Sequence, residues 1–336
     1  MDKDLFGLDT TECKSTKSST RRIRQVNSKT DEQLAFPFET LLPTTANTSS
    51  RYPTLFTRIP LFEPIKDRTK ADTKNWGLNG GDNYSAGALR IQRFGPGLSI
   101  YDEDTLIAIL QLGAQKSLKG PRSLINSYLN SEEGASEGDP NKVEEVYIGC
   151  VTPYRINDYL GRGTGGDQLR QCQDSIDRLS LTQLRFFNDA MSQLGTTKFF
   201  DVIRDYSTEG NVHLKINAQM VTLLKEYTKF DLSIRRILTD TGKSVHRFLS
   251  GQEGDFNIPL TELMKEIRYH GVLKDFKRSL LGRNATTKTK GEIGQLKILE
   301  DCQWLEYFEI SGTGRKTPFV LHVRRNVMLT KPALAN

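Results

Sequence analysis

Apolar residues recur along the chain at helix and strand spacings, and the recurrences come in the same order twice. In the first copy, Leu106, Ile109, Leu110 and Gly113 line one side of a helix predicted over Asp102 to Gln115. Its first turn is acidic (Asp102, Glu103, Asp104), as the helix dipole prefers. Val146, Ile148 and Cys150 alternate as a strand does. Thr152-Pro153 then joins a capping residue to an N1 proline and opens a helix with Ile156, Tyr159 and Leu160 inward. A glycine-rich turn, Gly161 to Gly166, leads to a helix marked by Leu169, Cys172, Ile176 and Leu179. Two strands, Lys198 to Asp205 and Val212 to Asn217, close the copy around Ser207 to Asn211.

The second copy follows the same scheme. Thr239 caps a helix through Leu249, with Val245, Phe248 and Leu249 apolar. A short strand (Phe256, Ile258) runs into Pro259, and Leu260, Leu263, Met264 and Ile267 repeat at i, i+3, i+4, i+7. After a long basic stretch, Ile293, Leu296 and Leu299 mark a further helix. A hairpin comes last: Leu305 to Ile310, the turn Ser311-Gly312-Thr313-Gly314, then Pro318 to Val323.

Helix, strand, helix, turn, helix, β-hairpin is the order of a winged helix-turn-helix. The expected fold class is therefore α+β, with two tandem winged helix-turn-helix domains behind a flexible N-terminal arm. The arm spans residues 1–50, the first domain 51–217 and the second 218–330. Within the arm, Cys13 to Thr30 holds six basic residues, no acid and much Ser and Thr, too polar to offset its chain entropy by burial. It reads either as a solvated linker or as a basic arm that touches phosphate. Gln33-Leu34-Ala35-Phe36-Pro37-Phe38 is out of character there, and its alternate apolar anchors suit an extended docking peptide.

Composition narrows the function classes. Lys and Arg number 47 against 41 Asp and Glu, a net charge of +6, which favours anionic partners. The apolar runs are too short to span a bilayer. The first residues lack a signal-peptide pattern, and the four cysteines are scattered as in a reducing compartment, so a cytoplasmic location is expected with no membrane partner. Neither cysteines nor histidines have zinc-ligand spacing, and no cofactor motif occurs. Gly161-Arg162-Gly163-Thr164-Gly165-Gly166 lacks the GK[ST] ending of a phosphate loop and follows a helix. No nucleophile–base constellation is recognisable, and the histidine pair that accompanies a nicking tyrosine is missing, so the expectation is a protein without catalytic activity.

The basic surplus is local. Between Lys265 and Lys297 nine basic residues face three acids, a net +6 equal to that of the whole chain. The stretch covers the turn and the start of the third helix of the second module, the part that enters the major groove in helix-turn-helix proteins. Lys274, Lys277, Arg278, Arg283, Asn284, Thr286, Thr287, Lys288 and Lys290 are the candidate DNA contacts, with Arg315 and Lys316 at the wing tip. In the first module Arg162, Gln168, Arg170 and Gln171 are candidates, but Asp167, Asp174 and Asp177 dilute the charge. That helix reads equally as a protein-binding surface. The second module is expected to dominate, so charge reversal at Lys288 and Lys290 should weaken binding more than reversal at Arg170 and Arg178.

The chain resembles iteron-binding plasmid replication initiators, most closely those of the TrfA type. The likeness is carried by Ser50-Arg51-Tyr52-Pro53-Thr54-Leu55-Phe56-Thr57, the layout of Leu89 to Leu106, the Asp167 to Leu181 helix, and Tyr227-Thr228-Lys229-Phe230 followed by Leu238-Thr239. It covers roughly residues 51–327, and the stretch from Tyr269 to Lys290 is longer than the family's turn. The resemblance implies binding to double-stranded origin DNA at direct repeats, local duplex opening, and recruitment of DnaA and the replicative helicase. It also implies a monomer–dimer equilibrium, repression of its own gene, and docking on the DNA polymerase sliding clamp through Gln33, Leu34, Phe36 and Phe38. A winged-helix transcription regulator and a protein-binding scaffold are the competing readings.

Overall fold

The computed structural model describes residues 49–64, 82–116, 146–188, 190–204, 212–216, 220, 223, 226–283, 291–314 and 317–326. Gln33, Leu34, Phe36 and Phe38 lie outside the described residues. The chain enters through β1 (Ser49–Pro53) and α1 (Thr54–Arg58), then forms the hairpin β2 (Asp82–Ala86) and β3 (Leu89–Phe94). Next comes α2 (Ile100–Lys116), in which every residue from Ile100 to Leu112 is buried. A helix covered on all sides must satisfy its polar groups inside the protein.

β4 (Val146–Val151) leads to α3 (Pro153–Leu160) and α4 (Gly166–Leu181). Thr152 caps α3 as its sequence requires, its hydroxyl accepting the Arg155 N–H at 3.3 Å. Gly161 ends the helix at φ 67°, a left-handed C-cap that favours glycine. β5 (Gln183–Phe187) and β6 (Gln193–Lys198) follow, then β7 (Asp201–Arg204) and β8 (Val212–Ile216). These strands form two sheets, in the orders β2-β3-β5-β6 and β4-β8-β7. The single strand expected from Lys198 to Asp205 is in fact the crossing between them. Phe199 and Phe200 are both fully buried, which an alternating strand with one solvent face does not allow.

The remainder begins with β9 (Tyr227–Asp231), α5 (Leu232–Ile237), α6 (Asp240–Ser250), β10 (Asp255–Pro259) and α7 (Leu260–Glu266). α8 (Leu273–Leu281), β11 (Gly282–Arg283), β12 (Glu292–Ile293), α9 (Gln295–Asp301), β13 (Leu305–Ser311) and β14 (Val320–Arg325) complete it. Its main sheet has the order β10-β14-β13. In each half, then, the first strand pairs with the last, and the middle strand takes the outer edge. The stretch expected to be a long turn contains a helix of its own, α8, because Leu273, Phe276 and Leu280 give it an apolar side.

Two hydrophobic clusters form the core, one running from Tyr52 to Leu232 and the other from Ile234 to Val323. β1 pairs antiparallel with β9, so two segments that carry the family resemblance, around Tyr52 and Phe230, are sheet neighbours. An aromatic ladder crosses from one cluster to the other. Tyr52 stacks on Phe230 at 4.6 Å, Phe230 lies 5.4 Å from His246, and His246 lies 4.6 Å from Trp304.

The acidic first turn of α2 sits beside this ladder. Asp102 accepts from the Ser99 N–H and from Ser175 Oγ, and pairs with Arg178 at 2.8 Å. Glu103 pairs with Arg235 at 2.6 Å and Arg247 at 3.2 Å. Asp104 meets Arg235 and Lys243, each at 2.6 Å, and Arg162 at 3.5 Å. Burial alone would raise the Asp104 pKa, but Arg235, Lys243 and Arg162 overcome it and hold the carboxyl at about 2. Three carboxylates of one helix turn thereby gather cations from the α3–α4 turn, α4, α5 and α6. Removing one member of such a cluster leaves a buried charge uncompensated, at a cost of about 3–5 kcal/mol.

His246 is fully buried, and among the described residues neither ring nitrogen has a hydrogen-bond partner. Burial, then Arg235 and Arg325, push its pKa down from 6.5 to about 3. The depressed value means that the unfolded chain takes up a proton first as the pH falls. The stability from a neutral His246 is complete above pH 6.5 and is lost as the pH falls toward 3. Urea unfolding should therefore show stability falling by up to about 1.4 kcal/mol per pH unit from this group, and His246→Phe should remove that part of the slope.

Candidate nucleic-acid interface

Both halves contain two helices joined by a turn and followed, after an inserted segment, by the last two strands of their sheet. In the first half these helices are α3 and α4. Asn157 pins their turn, its side-chain amide donating to the Gly163 and Gln168 carbonyls at 3.1 Å each. Gln168, Arg170 and Gln171 stand exposed on the first turns of α4, together with Asp167 and Asp174, so the face is polar with little net charge.

Arg162 and Arg178 are committed elsewhere. The Arg162 guanidinium lies 3.5 Å from the centre of the Tyr101 ring and donates to Thr105 Oγ1 and the Tyr101 carbonyl. Its positive charge is drawn to Asp104, so in this structure it braces the α3–α4 turn from within. Arg178 is likewise held by Asp102, so the expected charge-reversal comparison at that position would report on folding rather than on DNA.

In the second half the paired helices are α7 and α8. Phe276 and Leu280 bury one side of α8, leaving Lys274 and Arg278 exposed one turn apart on the other. Arg278 pairs with Asp275 at 3.2 Å, an exposed pair of small energetic weight. Lys277 sits between α8 and the hairpin, its ammonium 3.6 Å from the centre of the Phe319 ring. That contact places α8 against the base of the β13–β14 hairpin, whose turn holds Gly312 at φ 93°. A side chain on Gly312 would run into the Pro318 carbonyl.

The turn before α8 is tied to the first half of the molecule. Arg268, at φ 52°, donates to Glu63 at 3.0 Å, meets Asp82 at 3.1 Å and covers the Tyr84 ring. Burial opposes ionisation of Asp82, but Arg93 and Arg268 outweigh it and lower its pKa. His270 adds a contact to Glu63 at 3.0 Å. These bonds hold a left-handed non-glycine residue in place, and with it the approach to α8.

The start of α9, where sequence placed the reading end of a recognition helix, is turned inward. Gln295 is buried, and its side-chain oxygen accepts the Thr239 N–H at 2.8 Å, at the cap of α6. On the exposed side, Lys297 is paired with Glu300 and Asp301 at 2.8 and 2.9 Å. Arg283 lies 3.6 Å from Glu292. Much of the basic surplus between Lys265 and Lys297 is thus matched within the protein. Among the described residues, Lys265, Lys274 and Lys277 are the cations of this stretch without a carboxylate partner. Asn284, Thr286, Thr287, Lys288, Lys290, Arg315 and Lys316 lie outside the described residues.

No protein-family model matches the chain, and no curated protein does. Among solved structures, a selenomethionine crystal form of domains 2 and 3 of RctB is similar with a TM-score of 0.46 and 12% identity, over 82% of this chain and 98% of that one. A second crystal structure of RctB domains 2–3 gives a TM-score of 0.42 and 12% identity, over 74% and 91%. No family assignment follows from them. No described helix is long and apolar enough to cross a membrane.

If α8 carries the DNA contacts, Lys274→Glu with Arg278→Glu should weaken duplex binding about tenfold or more and flatten its salt dependence. Arg170→Glu on α4 should do less. Fluorescence anisotropy with labelled duplex at several salt concentrations measures both.

Proposed function

We propose that the protein is a plasmid-type DNA replication initiator built from two tandem winged helix-turn-helix domains, without catalytic activity of its own. The observation that carries this reading is the recurrence of one architecture, β4-β8-β7 with α3 and α4, and β10-β14-β13 with α7 and α8. In this reading α8 and the β13–β14 wing form the principal duplex reader. α8 lies across a turn from α7, exposes Lys274 and Arg278, and touches the wing base through Lys277 and Phe319. α4 presents Gln168, Arg170 and Gln171 as a weaker second reader. The initiator role itself rests on the resemblance of the sequence segments to TrfA-type initiators.

The two halves share an ion cluster and an aromatic ladder, so α4 and α8 are displayed on one body. Such a body suits direct repeats read as a monomer. Opening of the duplex, repression of its own gene and recruitment of DnaA, the replicative helicase and, through Gln33 to Phe38, the sliding clamp belong to the same proposal, as does its place in the cytoplasm.

The test is a titration of the purified monomer against tandem direct repeats from its own replicon, with scrambled and inverted-repeat duplexes beside them. Stepwise occupancy of the direct repeats, about a thousandfold tighter than scrambled DNA, is the expected result. A preference for the inverted repeat would point to a dimeric regulator, and equal salt-driven binding to all three would refute sequence-specific initiation.

A further inference from the structure

The four-stranded sheet β2-β3-β5-β6 has a second face that neither core cluster uses. Tyr84, Ile91 and Leu184 point inward to the first cluster, and Phe186 packs on it. The intervening side chains face outward in register. Ser85 pairs with Arg90, Arg90 with Phe187 and Phe187 with Gln193. Alongside them, Asn83 pairs with Gln92, Gln92 with Arg185 and Arg185 with Thr196. Beyond those, Phe94 pairs with Gln183 and Gln183 with Lys198. These paired outward positions hold three cations, two phenylalanines and six neutral polar residues, and no carboxylate; at the β6 edge a bulge opposite Phe186 and Phe187 adds the exposed Leu194.

Phe94 and Phe187 are half-buried on this outward side, so part of each ring is left to water, where a stacked partner would cover it. Phe94 and Phe187 stand four residues apart along the pleat, about 13 Å in the strand direction, with Arg185 between their rows. The Arg185 guanidinium is 4.3 Å from the centre of the Phe94 ring, a flat cation–aromatic plate. Among the described residues neither Arg185 nor Arg90 meets a carboxylate, and Lys198 shares an exposed pair with Asp201 at 3.1 Å.

From this face we propose a binding platform for single-stranded nucleic acid, with bases stacked on Phe94 and Phe187 and phosphates held by Arg90, Arg185 and Lys198. Aromatic plates interleaved with cations are the chemistry of sequence-tolerant single-strand binding. A duplex keeps its base faces stacked inside and would leave these half-buried rings without a partner. Arginine and phenylalanine also suit a protein interface, but the two rings here stand in a field of cations with no carboxylate, which favours a polyanion with flat bases. The platform uses neither α4 nor α8, so it stands whether or not the duplex reading does.

Anisotropy of a fluorescein-labelled oligothymidylate added to the full chain tests it. The native protein should bind, Phe94→Ala or Phe187→Ala should each weaken binding about tenfold, and the double variant about a hundredfold. Phe94→Tyr should keep near-native affinity, since a tyrosine ring stacks equally well. Arg90→Glu with Arg185→Glu should weaken binding and lower its salt dependence, which gives a second route if the alanine variants melt early. Affinity for direct-repeat duplex should stay unchanged in all of them, separating failure of the platform from failure of the duplex reader. Absence of binding by the native protein, or native affinity in a folded alanine double variant, would overturn the proposal. So would loss of self-association, rather than of oligothymidylate binding, in sedimentation.

Discussion

The described fold is arranged around three buried carboxylates, two of them wholly cut off from water and the third nearly so. Asp102, Glu103 and Asp104 open α2, a helix buried on all sides. Each carboxylate must be met by cations, since an isolated buried charge would cost far more than folding supplies. The cations come from the α3–α4 turn, α4, α5 and α6, which are thereby drawn to one point. Arg235 bridges Glu103 and Asp104 across more than a hundred residues of chain, and Lys243 and Arg247 follow it from α6.

The consequence for function is geometric. α4 is tied to α2 through Arg178, and the α7–α8 turn is tied to β2 and Glu63 through Arg268 and His270. The exposed residues of α4 and α8 are therefore held in a set relation, as the proposed reading of repeated sites would require. The two faces differ in chemistry within that shared frame. α8 offers cations beside a hairpin, whereas α4 offers amides and one arginine among aspartates.

Strongly local signals were legible in the sequence. Thr152 and Thr239 both cap helices, and the repeating pattern of helix, strand and terminal hairpin corresponds to sheets of the same order in both halves. What escaped was long-range or masked by composition. The acidic turn of α2 satisfies the dipole rule, so nothing in its neighbourhood announced partners on distant helices. Arg162 and Arg178 look like surface cations until their carboxylates are located. α8 was hidden because three apolar residues, Leu273, Phe276 and Leu280, are spread through a basic run that reads as a turn. Arg90 and Arg185 became visible as a set only once β3 and β5 were paired in register.

The central claim is that the buried charge cluster fixes α4 relative to α8. Spin labels at positions 170 and 274, with the interlabel distance measured by pulsed electron resonance, test it most directly. The native protein should give one narrow distance distribution, and Arg235→Gln, which strips Glu103 and Asp104 of their shared partner, should broaden it. A broad distribution in the native protein, or an unchanged narrow one in Arg235→Gln, would contradict the account.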